Sequence, residues 1–307
     1  MNTESGSQRQ ILLTGATGFI GVPLCKALLE RGNRLTVLTR DPRKARKVLG
    51  ESVTLVTRLD ELPDTAFQAV INLAGEPLVG RWTERRKEEI RRSRIGLTEA
   101  LLDHFHEREH FPETLINGSA VGYYGDGGEQ PLTEIDGNGQ GFGAELCRDW
   151  EAVAERFGDQ GARACRLRTG IVLGKGGGAL QAMLVPFKLG LGGRLGRGRQ
   201  WMSWIHLEDM VSLILFCLDN REISGPVNAT APNPVTNRYF TRTLARALHR
   251  PAIFHTPAPV LRLVMGEMAD ELLLVSQRVL PEVAVSAGFQ FQHPELPMAL
   301  QDILRKK

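Results

Sequence analysis

Short apolar runs of strand length recur along the chain, and between them the apolar residues fall at helical spacing. Gln10-Ile-Leu-Leu-Thr14 is the first such run and stops at Gly15. Glycines follow at 15, 18 and 21, and then Ile20, Leu24, Ala27 and Leu28 repeat with the period of a helix as far as Gly32. Leu35–Thr39, Val53–Val56, Ala69–Leu73, Thr114–Asn117 and Ala164–Thr169 read as further strands. Runs that are continuously apolar belong to strands buried on both faces, and their alternation with helices predicts a parallel sheet covered on either side. The fold class this implies is α/β and doubly wound.

Thr83 to Arg108 reads as one helix, with Ile90, Leu97, Leu101 and Phe105 on one face and the pairs Arg85/Glu89 and Glu88/Arg92 on the other. Arg94 stands inside the apolar stripe, so its guanidinium either faces a ligand cleft or snorkels at the helix edge. From Gly174 to Gly198 glycine is dense around the apolar stretch Leu180–Leu191, a composition expected of tight turns lining a pocket. Further on come several prolines and two short amphipathic helices, Thr236–His249 and Pro259–Met268. The expected organisation is one domain over 1–230 and a small appended C-terminal lobe over 231–307.

Composition removes several function classes. A chain of 307 residues, 42% hydrophobic and 24% charged, can bury about three quarters of its unfolded surface. Its 38 basic and 35 acidic residues leave a net charge of +3 with no sustained positive stripe, so nucleic acid is not an expected partner. No stretch approaches the roughly 18 consecutive apolar residues of a bilayer span, and the polar start Met1–Gln10 has no signal core, so neither membrane insertion nor secretion is expected. Cys25, Cys147, Cys165 and Cys217 lie far apart and read as reduced thiols of a cytoplasmic protein. The scattered histidines, His104, His106 and His110 among them, suggest no metal.

The loop Thr14-Gly-Ala-Thr-Gly-Phe-Ile-Gly21 carries the candidate chemistry. Glycines between a strand and a helix let backbone N–H groups approach a pyrophosphate at the positive end of the helix dipole. Its place after the first strand, with a second strand ending about 20 residues on, points to dinucleotide binding. At the end of that second strand a carboxylate would accept from the ribose 2′-hydroxyl, but here stands Thr39-Arg40-Asp41-Pro42-Arg43-Lys44. A guanidinium there can fork onto a 2′-phosphate. The expected cofactor is NADP(H), with Arg40 the main selector and Arg43 or Lys44 in support; the alternative is that Asp41 swings in to hold the hydroxyl.

These residues resemble a known family. Thr14–Gly21, Asn72-Leu-Ala-Gly75 and Trp204-Ile-His-Leu-Glu-Asp209 are similar to the extended short-chain dehydrogenase/reductases of the sugar-nucleotide epimerase and dehydratase type. Ile71–Pro77, Gly118–Gly125, Leu167–Gly174, Gly190–Gly193 and Asn228–Arg250, with the tail to Leu300, narrow the resemblance to an atypical "epimerase family" branch with a small extra C-terminal domain. The resemblance spans nearly the whole chain after about residue 10. It implies a Rossmann-type sheet with NADP(H) across the carboxyl ends of the strands, and a small-molecule substrate pocket roofed by a small C-terminal α+β lobe. By position it implies Gly15, Thr17, Gly18, Phe19 and Ile20 at the pyrophosphate, Arg40 at the 2′-phosphate, Leu73, Ala74 and Gly75 on the adenosine side, and Thr169 to Val172 near the nicotinamide. Glu76, Arg94, Trp201 and Trp204 are the expected substrate-pocket residues.

The catalytic machinery departs from that family. Hydride chemistry there uses a tyrosine as acid/base, a lysine four residues later that lowers its pKa and binds the ribose, and a serine or threonine that orients the substrate oxygen. The tyrosines here, Tyr123, Tyr124 and Tyr239, are followed four residues on by Gly127, Gly128 and Thr243, and no lysine occurs between Lys87 and Lys175. Aligning Cys147–Glu151 with the lysine-bearing helix puts Cys147 at the lysine's place and Gly143 at the tyrosine's, within a residue or two, and matching Tyr124-Gly125 to the Val-Tyr-Gly of the preceding loop puts Ala120 at the serine's, with Ser119 one step away. Ser119, Tyr123 and Tyr124 remain as catalytic candidates, the aromatic pair reading either as a phenol aimed at the nicotinamide or as a pocket wall. Cys147 reads as a redox thiol or a small buried hydrophobe, and His206 as half of a relay with Asp209 or as part of a helix cap. An epimerase-like oxidoreductase or isomerase with a rewired site and a non-catalytic NADP(H) sensor or assembly module both fit, ahead of a structural protein with a vestigial fold.

Overall fold

The computed structural model describes residues 8–305, apart from residue 109. Seven strands, β1 (Gln10–Thr14), β2 (Arg34–Leu38), β3 (Thr54–Val56), β4 (Ala69–Asn72), β5 (Thr114–Ala120), β6 (Arg163–Thr169) and β7 (Gly225–Ala229), form one parallel sheet in the order β7-β6-β5-β4-β1-β2-β3. The sheet is the doubly wound α/β arrangement that the alternating runs predict, with its crevice at the carboxyl ends of the strands. Six strands stand where the apolar runs place them. The seventh, Gly225-Pro-Val-Asn-Ala, was not expected, because glycine, proline and asparagine disfavour strands. Proline is tolerated here because β7 is an edge strand.

Alternate residues of each strand feed opposite layers, which is why the runs are continuously apolar. Ile11 and Leu13 join Leu24 and Leu28 of helix α1 (Gly21–Glu30), while Leu12 turns the other way toward Leu101 and Phe105. Helix α2 (Pro42–Leu49) follows β2, and α3 (Glu84–Arg91) and α4 (Leu97–Glu107) lie between β4 and β5. The single helix expected over Thr83–Arg108 is interrupted at Arg92–Gly96 by a π-helical turn. Ser93 Oγ donates to the Ile90 carbonyl at 2.9 Å, and Thr98 Oγ1 to the Arg94 carbonyl at 2.7 Å. Such turns inside α-helices are frequent at functional sites.

Helix α5 (Phe142–Asp159) completes the α4 side, and α6 (Gly178–Lys188) and α7 (Leu207–Asp219) follow β6. The C-terminal segment contributes α8 (Asn237–Leu248), α9 (Ala258–Met265), α10 (Glu282–Ser286) and α11 (Leu296–Leu304). Its described residues pack into cores shared with the rest of the chain. Phe240, Leu244, Leu296 and Leu300 share one with Leu180, Leu184 and Trp204, while Ala284 and Phe289 enter the layer of α1 and α7. The glycine-dense run serves close packing: a Cβ on Gly174 or Gly178 would lie within 3 Å of the Phe19 ring, which these glycines cradle. Among the described residues no helix is long and apolar enough to cross a membrane.

Candidate functional site

A buried polar chain sets the carboxyl ends of the central strands. Thr14 Oγ1 donates to Asn72 Oδ1 at 2.6 Å, and Asn72 Nδ2 donates to Thr98 Oγ1 at 2.8 Å and Asn117 Oδ1 at 2.7 Å. Trp150 Nε1 donates to the same Thr98 oxygen at 2.9 Å. Thr98 thus uses its one donor and both acceptor positions, which fixes the π-helical turn above it against β4 and α5.

The β1–α1 turn is built on that base. Gly15 has φ +72°, and a Cβ there would lie 2.6 Å from the Leu73 carbonyl. Leu73 donates its N–H to the Thr14 carbonyl at 3.3 Å, and Ala74 donates its own to Thr14 Oγ1 at 3.2 Å. The two loops therefore touch backbone to backbone, with Gly18 N closing the turn on Gly15 O at 3.0 Å. Ile20 precedes α1 without capping it by a side chain, so the positive end of this helix is left to the backbone of the loop. Thr17, Phe19 and Ile20 are half-buried around it and Gly18 is exposed.

At the end of β2, Arg40 is 88% exposed and its Nη1 meets Glu76 Oε1 at 2.7 Å. Bonding to Arg40, with Arg86 nearby, holds the Glu76 carboxyl below the usual range despite opposing desolvation. Glu76, expected in the substrate pocket, is thus paired with the arginine that follows β2. Asp41 accepts from Lys44 N at 2.9 Å as the cap of α2, so its carboxylate is committed to that helix. Arg94 reaches back beneath Gly75, and its Nη2 donates to the Glu76 carbonyl at 3.0 Å. Gly75 is exposed and Leu73 and Ala74 are half-buried, as is Thr169, whose hydroxyl donates to the Leu167 carbonyl at 3.1 Å.

Two of the three catalytic candidates are committed inside the protein. Ser119 Oγ donates to Glu151 Oε1 at 2.6 Å. Arg168 grips both oxygens of Glu151, through Nε and Nη2, at 2.9 Å each, the two side chains being 4% and 6% exposed. Arg168 Nη1 also donates to the Tyr124 hydroxyl at 3.0 Å, and that hydroxyl donates to Asn228 Oδ1 at 2.7 Å. Burial pushes the Tyr124 phenol up to about 12. Ser119 and Tyr124 are thus members of a buried network rather than groups in a cleft, because an arginine on β6 required a carboxylate and filled the space beneath them. Tyr123 is half-buried, its ring 3.5 Å from the Arg168 guanidinium carbon.

Cys147 is buried, and burial, with the charge of Glu151, pushes its thiol up to about 11, the behaviour of a small hydrophobe rather than a nucleophile. At Gly143 the backbone N–H donates to Glu271 Oε2 at 2.7 Å, and Phe142 N donates to Oε1 at 2.8 Å. Trp204, expected in the pocket, is fully buried in the core shared by α6, α8 and α11, and donates to the Asn233 carbonyl at 3.1 Å. Its place on a strand paired with Ile171–Leu173 turns it inward. Trp201 is half-buried, donating to Glu129 Oε2 at 2.8 Å beneath the Arg278 guanidinium.

His206 is the cap of α7, its Nδ1 accepting from Glu208 N at 3.2 Å, while Asp209 accepts from Gln292 N and His293 N at 2.8 and 2.9 Å. The relay with Asp209 is therefore not formed. The fold brings His206, His293 and Asp302 together, which the sequence spacing hid. With Nδ1 accepting, the neutral ring of His206 carries its proton on Nε2, the atom 3.5 Å from Asp302 Oδ2. Burial and then His293 hold the His206 imidazole below its ordinary 6.5. The unfolded chain therefore takes up that proton first as pH falls, and the stability present above about 6.5 is lost toward the folded value. In thermal melts His206→Asn, which retains a capping oxygen, is expected to lose less stability across that window than the native chain.

Sequence reasoning missed Glu151, Arg168 and Glu271. Arg168 had a signal, an arginine inside a strand of the buried sheet, which demands a partner. Glu271 had none, since its contact is about 130 residues away in the chain.

The fold and this site define a class. Residues 11–229 match the NAD dependent epimerase/dehydratase family, and the chain belongs to it; residues 256–303 match a domain of unknown function, DUF1731. An epimerase family protein of Staphylococcus aureus (strain MW2) is 38% identical over 300 residues, covering 97% of this chain and 100% of the relative. One of Staphylococcus haemolyticus is 38% identical over 299 residues, covering 96% and 99%. Among solved structures, the human epimerase family protein SDR39U1 (isoform 2), crystallised with NADPH, superposes with a TM-score of 0.86 at 34% identity, covering 96% of this chain and 98% of that one.

Proposed function

We propose that the chain binds NADP(H) across the carboxyl ends of β1, β2 and β4 and acts as an oxidoreductase or isomerase on a small carbonyl or sugar compound without a Tyr-x-x-x-Lys pair. The observation that carries this reading is the β1–α1 turn, where the bare α-carbon of Gly15 rests on Leu73 and no side chain caps α1. The solved human relative with NADPH supports it. The residues present fit the cofactor. Gly15, Thr17, Gly18, Phe19 and Ile20 surround the place for a pyrophosphate, and Leu73, Ala74 and Gly75 border the adenosine side. Arg40, exposed and held by Glu76, meets the 2′-phosphate, with Arg43 or Lys44 in support. Thr169 stands at the end of β6, on the nicotinamide side. When bound, the cofactor supplies a hydride donor or acceptor. Tyr123, beneath Arg168, is the chain's own candidate for a proton at the substrate oxygen. Free, buried Cys25, Cys147, Cys165 and Cys217 fit a reducing cytoplasm.

Titration calorimetry with NADPH and NADH tests the assignment. Arg40→Glu is expected to weaken NADPH by about 10- to 100-fold and to reverse the ranking, since it replaces charge-assisted hydrogen bonds by repulsion. An unchanged ranking overturns the role of Arg40. A second reading, a cofactor-binding module without hydride chemistry, is favoured by the commitment of Ser119 and Tyr124 to the buried network. A panel of carbonyl and sugar-nucleotide compounds separates the two, because only the enzyme changes the absorbance of bound NADPH.

A further inference from the structure

We propose that the outer face of α8, with the end of α6 that lies against it, docks the protein on an anionic phospholipid surface. Arg238, Arg242 and Arg246 follow one another four residues apart on α8, and Arg250 stands just past its end. The spacing puts the first three in one row along the helix, and all four are exposed. Like charges so placed repel one another. Among the described residues none of the four forms an ion pair, whereas Arg86, Arg91 and Arg166 each find a carboxylate. No acidic residue occurs between Asp159 and Glu208 or between Glu222 and Glu267, the two stretches that build this face. The positive stripe absent from the linear order is thus made by helical spacing. Since the whole chain has a net charge of +3, four unpaired arginines exceed its entire surplus and leave the molecule electrically lopsided.

Charge alone fits any polyanion, and the apolar neighbours choose among them. Arg250 Nε donates to the Lys188 carbonyl at 3.2 Å, which ties the end of α8 to the end of α6. Strand Phe254–Thr256 runs parallel to strand Gly193–Leu195 with Phe254 opposite Gly193, so Ile253 and Leu191 enter that pair from the same end. Val185 and Leu189, four residues apart, stand at the end of α6. All four of these aliphatic side chains are between 56% and 80% exposed, gathered about Lys188 and Arg250. Exposed apolar groups rimmed by charge mark a contact surface. The phosphate backbone of a nucleic acid offers them nothing. A lipid surface offers headgroup phosphates to the guanidinium row and the acyl boundary to the aliphatic tip. Such a contact needs no spanning helix.

Co-sedimentation of the full chain with vesicles is the test. Binding is expected to vesicles of phosphatidylcholine and phosphatidylglycerol in equal parts, and none to phosphatidylcholine alone. The paired variant Arg242→Ala, Arg246→Ala removes two charges and is expected to weaken binding about 10- to 30-fold. Leu189→Ser with Ile253→Ser keeps every charge and is expected to weaken it about 10-fold. No binding to the mixed vesicles, equal binding to the neutral ones, or either variant within about twofold of the native chain overturns the proposal. A DNA duplex of random sequence held more tightly than the mixed vesicles in the same salt also overturns it, making the row a nucleic-acid face. If a variant does not fold, the native chain is read against added salt. Release from the mixed vesicles on a roughly tenfold rise in ionic strength is then the expected result, and binding that survives it overturns docking by charge.

Discussion

Gly15→Ala is expected to abolish binding of NADPH and to destabilise the fold by about 3 kcal/mol, from left-handed backbone strain together with overpacking. The added methyl has no room: its nearest neighbours are the Leu73 carbonyl at 2.6 Å and Ala74 N at 2.8 Å, backbone atoms of two residues whose N–H groups both donate to Thr14 of β1. Relief requires parting the β1 and β4 loops, which are the two walls of the cleft. Gly50→Ala is the matched control, since Gly50 has φ +74° and nothing within 4 Å. It should show only the strain of a backbone region that glycine alone favours, about 1–3 kcal/mol, with binding intact. Urea melts and calorimetry on the pair decide the matter: if Gly15→Ala binds NADPH as the native chain does, the β1–α1 turn is not a pyrophosphate site.

The second large effect belongs to the network under the site. Arg168→Met leaves Glu151 buried with only Ser119 beside it, and unpairing a buried charge costs about 3–5 kcal/mol. The double variant Arg168→Met, Glu151→Leu removes both charges and should recover much of that loss, because a well-packed apolar pair is often as stable as the ion pair it replaces. Urea denaturation of the single and double variants measures this. A single variant within about 0.5 kcal/mol of the native chain would falsify the picture of a dry, closed network.

These two sites also mark how far the amino-acid order can be read. Strands buried on both faces announce themselves as unbroken apolar runs, and Gly15, Gly18 and Gly21 announce a turn where side chains have no room; both signals are local. Edge strand β7 carries no such run, because its outer side needs no neighbour and tolerates Pro226. The commitment of Ser119 and Tyr124 was not legible, since it depends on Arg168 and Glu151 meeting across β6 and α5. The pairing of Glu76 was hidden for a similar reason: its neighbour Gly75 lies over Arg94, but its own carboxylate meets Arg40, just past β2. Arg94 was legible as an anomaly, a charge in an apolar stripe. The π-helical turn that decides its direction was not, because one extra residue in a helix leaves little trace in the spacing of apolar positions.

Glu271 shapes what can be rebuilt. Its carboxylate closes on the amides of Phe142 and Gly143, and a Cβ at Gly143 would already stand 3.0 Å from one of its oxygens. A phenol grafted onto position 143 and this carboxylate are rival tenants of the same space. Placing a side chain at 143 is therefore a problem of paired substitution, in which the change on α5 is sterically conditional on one made at Glu271.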